Sequence, residues 1–117
     1  MKNTELRIGN FLNDYTGKLC KVRGVNKNGI SAPRVDGSAM AQPNRPIKLT
    51  EEWLIKFGAT YTQSRLMLDN FGFMDKELAN NTYRHYPTLK RIEYVHQLQN
   101  FYFAWNNEEL ETKKGYP

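Results

Sequence analysis

Cysteine is almost missing from this 117-residue chain, where Cys20 stands alone. A single thiol excludes an intrachain disulfide framework and fits a reducing compartment. Histidine is nearly as scarce. His85 and His96 are the only two, and neither has a cysteine or carboxylate cluster at metal-ligand spacing. No apolar run approaches the length of a membrane span. Met1-Lys2-Asn3-Thr4-Glu5 carries no apolar core of a secretory signal. Glycine-rich phosphate loops of the P-loop or dinucleotide type are absent too. These absences point to a cytoplasmic protein without membrane contact, cofactor or metal. They also leave no catalytic set: Cys20 with a histidine is the nearest approach to a nucleophile and base, and nothing in the spacing joins them. Glu108, Glu109 and Glu111 fit a solvated acidic end better than a cation site.

What is present is a chain long enough for one domain, residues 1–117, with a core that needs no staples. Aromatic residues make up 13% of it, enough to supply both core and recognition surface. The net charge of +5 is unevenly placed. Residues 1–48 hold nine Lys or Arg against three acids; residues 49–117 hold eight against nine. A basic N-terminal half attracts phosphate-bearing partners, although it also serves simply as a solvated surface.

The periodicity predicts an α+β fold. Leu6-Arg7-Ile8-Gly9-Asn10-Phe11, Leu19 to Val25 and Ile30-Ser31-Ala32 read as short strands, with a tight turn at Lys27-Asn28-Gly29. Together they predict an SH3-like bent antiparallel sheet. Residues 33–46, with Pro33, Pro43 and Pro46, read as a long loop carrying Arg34 and Arg45. A short capped helix over 50–57 follows, with Thr50 as N-cap, Leu49 and Leu54 in staple positions and Gly58 as the stop. Further strands are expected at Arg65-Leu66-Met67-Leu68, Phe71-Gly72-Phe73-Met74 and Thr82-Tyr83-Arg84-His85-Tyr86, with a helix from Met74 to Asn80 as the competitor.

The strongest signal is an amphipathic helix over about 93–105. Tyr94, Val95, Leu98, Phe101, Tyr102 and Trp105 form its apolar stripe, so these residues, with Trp53 and Phe57, are expected to be largely buried. The opposite face carries His96, Gln99, Asn100 and Phe103. That set offers donors, acceptors and a stacking surface together. The same face can instead pack on the sheet, its amides satisfied by backbone groups. Phe103 on a polar face needs a cover, from the fold or from a second copy of the chain in a homodimer. A second constellation, Tyr83, Arg84, His85, Tyr86, Lys90 and Arg91, interleaves aromatic and basic side chains in a way that suits stacked bases and phosphates.

Three blocks resemble a family of small proteins encoded by phages, prophages and mobile elements of Bacteroides-type bacteria. They are Leu6-Arg7-Ile8-Gly9-Asn10, then Pro46-Ile47-Lys48-Leu49-Thr50-Glu51-Glu52-Trp53-Leu54-Ile55-Lys56-Phe57-Gly58, then Ile92-Glu93-Tyr94-Val95-His96-Gln97-Leu98-Gln99-Asn100-Phe101-Tyr102-Phe103-Ala104 with Glu108-Glu109-Leu110 after it. Trp105 and Asn106-Asn107 depart from the Leu and the Thr-Gly usual there. The resemblance implies expression in a bacterial host and no established activity. By analogy with phage accessory proteins, the expected function is non-enzymatic: sequestration of a small anionic, nucleotide-type ligand to counter host defence. Its expected contacts are His96, Gln99, Asn100 and Phe103, with Arg7 and Arg23 on phosphates. One alternative is a nucleic-acid-binding SH3-like module using Lys18, Lys21, Lys27, Arg84, Tyr86 and Arg91. Another is direct inhibition of a host protein.

Overall fold

A computed structural model describes residues 5–26, 29–38, 45–77 and 82–113. The chain is α+β. Two short antiparallel ladders come first, β1 (Phe11–Asn13) with β2 (Leu19–Lys21) and β3 (Gly24–Asn26) with β4 (Gly29–Ser31). The helix α1 (Glu51–Lys56) follows, then a five-stranded antiparallel meander of β5 (Thr60–Thr62), β6 (Arg65–Leu68), β7 (Gly72–Glu77), β8 (Thr82–Tyr86) and β9 (Arg91–Ile92). The helix α2 (Val95–Asn106) ends the series.

Local chemistry accounts for most of these boundaries. Thr50 Oγ1 accepts from the Trp53 amide at 3.2 Å and starts α1. At the start of α2, Gln97 Oε1 accepts from the backbone of both Glu93 and Tyr94, at 3.0 and 3.1 Å. Asn107 ends α2 in the left-handed region at φ 56°. The segment before α1 runs beside the segment before α2: Leu49 N–H donates to Glu93 and Val95 N–H to Ile47. Both helices therefore begin from one place. Between β7 and its neighbour, Gly72 (φ +133°) is held so close to β8 that a Cβ would stand 2.1 Å from the Tyr86 carbonyl oxygen.

Alternation sorts the meander into two faces. Leu66, Leu68, Met74, Tyr83 and Ile92 turn inward onto Leu54 and Phe57 near α1, Val95 and Leu98 of α2, and Leu110 of the tail. Arg65, Phe73, Asp75, Glu77, Arg84, Tyr86 and Arg91 alternate with them on the other side. β1 divides in the same manner. Phe11 joins the main core beside Trp53 and Phe57, while Leu12 joins a second cluster with Leu6, Cys20, Val22 and Ala32.

Several expectations need correction. Leu6 to Asn10 is not strand: Arg7 to Asn10 closes as a turn around Gly9 at φ +99°. Phe71 sits in the turn before β7 rather than in the strand, yet its ring is buried against His85 at 4.1 Å. β7 continues as strand to Glu77, which displaces a helix from Met74; residues 78–81 lie outside the described set, as do 27–28 and 39–44 of the predicted turn and loop. Phe57 and Leu98 are buried as expected, and Trp53, Tyr94 and Phe101 are half-buried. Trp105 is 46% exposed; at the end of α2 it meets the rings of Phe71, His85 and Phe101 edge to face.

Candidate ligand site

The polar face of α2 lies on the N-terminal segment, and its amides are engaged there. Gln99 Oε1 accepts from the Phe11 amide at 2.8 Å, and Gln99 Nε2 donates to the Gly9 carbonyl at 2.9 Å. Asn100 Oδ1 accepts from Arg7 at 3.0 Å and from Asn10 Nδ2 at 2.9 Å, while its Nδ2 donates to the Glu5 carbonyl at 2.7 Å. Arg7 then reaches Glu109 with one terminal nitrogen, 2.8 and 2.6 Å from the two carboxylate oxygens. Its guanidinium carbon stands 3.9 Å from the centre of the Phe103 ring. Phe103 thus has its cover within the chain. Arg7, Gln99, Asn100 and Phe103 form one clamp that joins helix, N-terminal turn and tail.

His96 belongs to the same face but not to the clamp. It is 2% exposed, and neither ring nitrogen has a hydrogen-bond partner among the described residues. Tyr94 stacks beside it, with ring centres 5.9 Å apart and planes 13° from parallel. Burial holds the imidazole below its ordinary pKa of 6.5, against the pull of the Glu5 carboxylate. The ring is therefore neutral at pH 7, with one donor and one acceptor unused. Leaving a buried polar group unsatisfied costs about 1–3 kcal/mol.

His96 lines a pocket of about 320 Å³ whose other walls are Glu5, Lys90, Arg91, Ile92, Gln97, Asn100, Phe101 and Ala104. Lys90 makes no ion pair among the described residues, and its Nζ lies 4.8 Å from the centre of the Phe101 ring. Arg91 gives its Nε to Glu77 at 3.0 Å, and its terminal nitrogens make no hydrogen bond among the described residues. The pocket combines an aromatic wall, a rim with two cations to one carboxylate, and a polar ring without a partner.

The remaining expected contacts scatter. Arg23 and Lys21 are exposed on a separate cleft beside the tail. Lys18 pairs with Asp36 at 3.3 Å. Lys27 lies outside the described residues. Of the aromatic-basic constellation, Arg84, Tyr86 and Arg91 share the outer sheet face, whereas Tyr83 and His85 are buried. Arg84 donates to Glu77 at 2.9 and 3.1 Å, and the Arg65 guanidinium lies between Tyr86 and Phe73, 5.2 and 4.1 Å from their ring centres.

Cys20 and His85 are each engaged with other groups rather than with one another. Cys20 Sγ donates to the Lys18 carbonyl at 3.7 Å, and burial pushes its thiol pKa up. His85 lies 2.7 Å from the Phe71 carbonyl through Nε2 and 2.6 Å from Thr88 Oγ1 through Nδ1. A carbonyl can only accept, so Nε2 carries the proton and Thr88 donates to Nδ1. The pocket residues not anticipated as contacts are Glu5, Ile92, Gln97, Phe101 and Ala104; Lys90, at the end of the turn after β8, was expected with Arg91 in the aromatic-basic constellation rather than beside His96. Only the pairing of β8 with β9, across that turn, brings Lys90 to the side of α2. Comparison of the chain with protein-family models, with curated proteins and with solved structures finds no match.

Proposed function

We propose that this is a non-enzymatic binding protein, and that the pocket beside His96 takes a small anionic ligand of nucleotide type. The observation that carries the reading is His96 itself, a buried neutral imidazole without a hydrogen-bond partner among the described residues, next to two cations that ion pairs among those residues do not exhaust. An anionic group fits between Lys90 and the terminal nitrogens of Arg91. A planar or apolar moiety fits against Phe101. A polar edge of the same ligand supplies the partner His96 lacks as the wall adjusts to it. The volume, near the lower end for small-molecule sites, favours a molecule of mononucleotide size. Under this reading Arg7, Gln99, Asn100 and Phe103 hold the pocket's frame rather than touch the ligand, apart from the edge of Asn100. A phage accessory that withdraws a nucleotide signal from its host has need of such a site and of no catalytic group.

The test is calorimetry and thermal shift with a panel of linear and cyclic nucleotides. Binding should raise the melting temperature by several degrees at saturating ligand. Lys90→Ala and Arg91→Ala should each weaken it by about tenfold. A folded protein that binds none of them at millimolar concentration overturns the proposal. Retention of DNA or RNA that weakens steeply with salt and needs Lys18, Lys21 and Arg23 would favour the SH3-like nucleic-acid module instead.

A further inference from the structure

A second cavity lies away from His96, and it has a different character. It is a cleft of about 660 Å³ between the N-terminal ladders and the tail. Ile8 and Val35 stand open on it, 63% and 40% exposed, which is unusual for aliphatic side chains so close together. One wall carries Lys21 and Arg23, neither in an ion pair among the described residues. The other wall is the tail itself, Glu109, Leu110 and Glu111.

That tail segment is fixed at both ends and by its middle. Asn107 N–H donates to Phe103, Lys113 N–H donates to Lys56 at 2.8 Å, Leu110 is buried in the main core and Glu109 is held by Arg7. Yet the backbone groups of Glu109, Leu110 and Glu111 make no hydrogen bond among the described residues. A held segment whose N–H and C=O groups are unbonded among the described residues, lining a cleft with exposed aliphatic side chains, is an arrangement that can recruit an extended peptide by strand addition. The charges across the cleft say what kind. Lys21 and Arg23 ask for a carboxylate, and Glu109 is already neutralised by Arg7, leaving Glu111 to repel acid close to the tail.

We propose that this cleft docks an extended segment of a partner protein in which aliphatic and acidic residues alternate. Its backbone pairs with Glu109–Glu111, its aliphatic side chains cover Ile8 and Val35, and its carboxylates lie towards Lys21 and Arg23. Alternation follows from strand geometry, since successive side chains point to opposite sides.

The experiment is fluorescence polarisation with a fluorescein-labelled short peptide of alternating Leu and Glu, titrated with the full chain. Three comparisons accompany it: the protein with Lys21→Glu and Arg23→Glu together, the protein with Lys90→Ala, and the same peptide N-methylated at alternate backbone positions. Binding is expected with wild type and with Lys90→Ala. It should weaken by roughly tenfold or more with the charge-reversed protein and be lost with the N-methylated peptide. Both reversed positions are exposed, and circular dichroism establishes that the variant is folded. Absence of binding to wild type, or binding that survives either charge reversal or N-methylation, overturns the proposal. Because the Lys90 pocket plays no part, the outcome is independent of whether a nucleotide binds there.

Discussion

Replacing Gln99 by Met tests the clamp that sets the frame of the molecule. Methionine keeps the length and nearly the volume of glutamine, so the packing penalty is small. What is lost is the acceptor for the buried Phe11 amide and the donor to the Gly9 carbonyl. An enclosed amide without an acceptor costs about 1–3 kcal/mol. Gly9 is only half-buried, so its carbonyl recovers part of its loss from water and adds about 1 kcal/mol or less. The sum is about 1–4 kcal/mol, a large share of the roughly 5–15 kcal/mol that holds a domain together. In urea, with a slope of about 2 kcal/mol per molar, the unfolding midpoint should fall by about 0.5–2 M. Amide exchange at Phe11 should accelerate more than at Leu98, whose helical bond the substitution leaves alone. A midpoint shift under about 0.3 M, or unchanged protection at Phe11, would refute the idea that Gln99 fastens the N-terminal segment to α2.

Gly72→Ala should destabilise the chain more severely than any surface change, because its Cβ would strike the Tyr86 carbonyl and the left-handed backbone disfavours a side chain besides; melting well below wild type in a thermal scan is the expected result, and an unchanged melting temperature would contradict the β7–β8 geometry. Phe103→Ala should cost about 1 kcal/mol through loss of the Arg7 stacking contact, with no change in sedimentation; a shift in sedimentation would place a second copy of the chain on this face. Stability should fall with acid in two stages. His85 and His96 have pKa values lowered by burial, so the unfolded chain takes up protons first and stability, complete above about pH 7, declines as the pH drops below the ordinary value of 6.5. The Glu5 carboxylate opposes the His96 term in part. Asp14, fixed by Thr16, by Arg34 at 2.6 Å and by the Lys18 amide, is held well below the usual carboxylate range, so its contribution is present above about pH 4 and lost at lower pH. Urea midpoints across pH 3–8 check both stages, and a flat profile between 7 and 5 would contradict the first.

What was legible in the sequence is what local chemistry writes. Both helices were found, α1 from its Thr50 cap and α2 from its apolar period, whereas the Gln97 side chain that caps the start of α2 was not read as such. β5 was missed, because Gln63 and Ser64 form the β5–β6 turn with positive φ at both residues, and neither is a residue that advertises such a turn. The two faces of α2 were also legible, but not what each face meets. Asn100 bonds Arg7 and Asn10 across about ninety residues of chain, and periodicity contains nothing about such partners. Trp105 follows the helix stripe perfectly well yet stands at the rim, since periodicity gives direction and not how far the core extends. The pocket was half visible: His96 and Asn100 stood out in one set and Lys90 and Arg91 in another, but that the two sets meet depends on the strand pairing that returns β9 beside α2.

The measurement closest to the central claim is a nuclear magnetic resonance titration that follows the His96 imidazole and the backbone amides while a mononucleotide is added. If the pocket is the site, the His96 ring resonances and the amides of Lys90, Arg91, Gln97 and Ala104 move together and saturate, and those of Lys21 and Arg23 stay in place. If the His96 ring and its neighbours remain unshifted up to millimolar nucleotide in a folded sample, or if the shifts gather elsewhere, the pocket is not the ligand site.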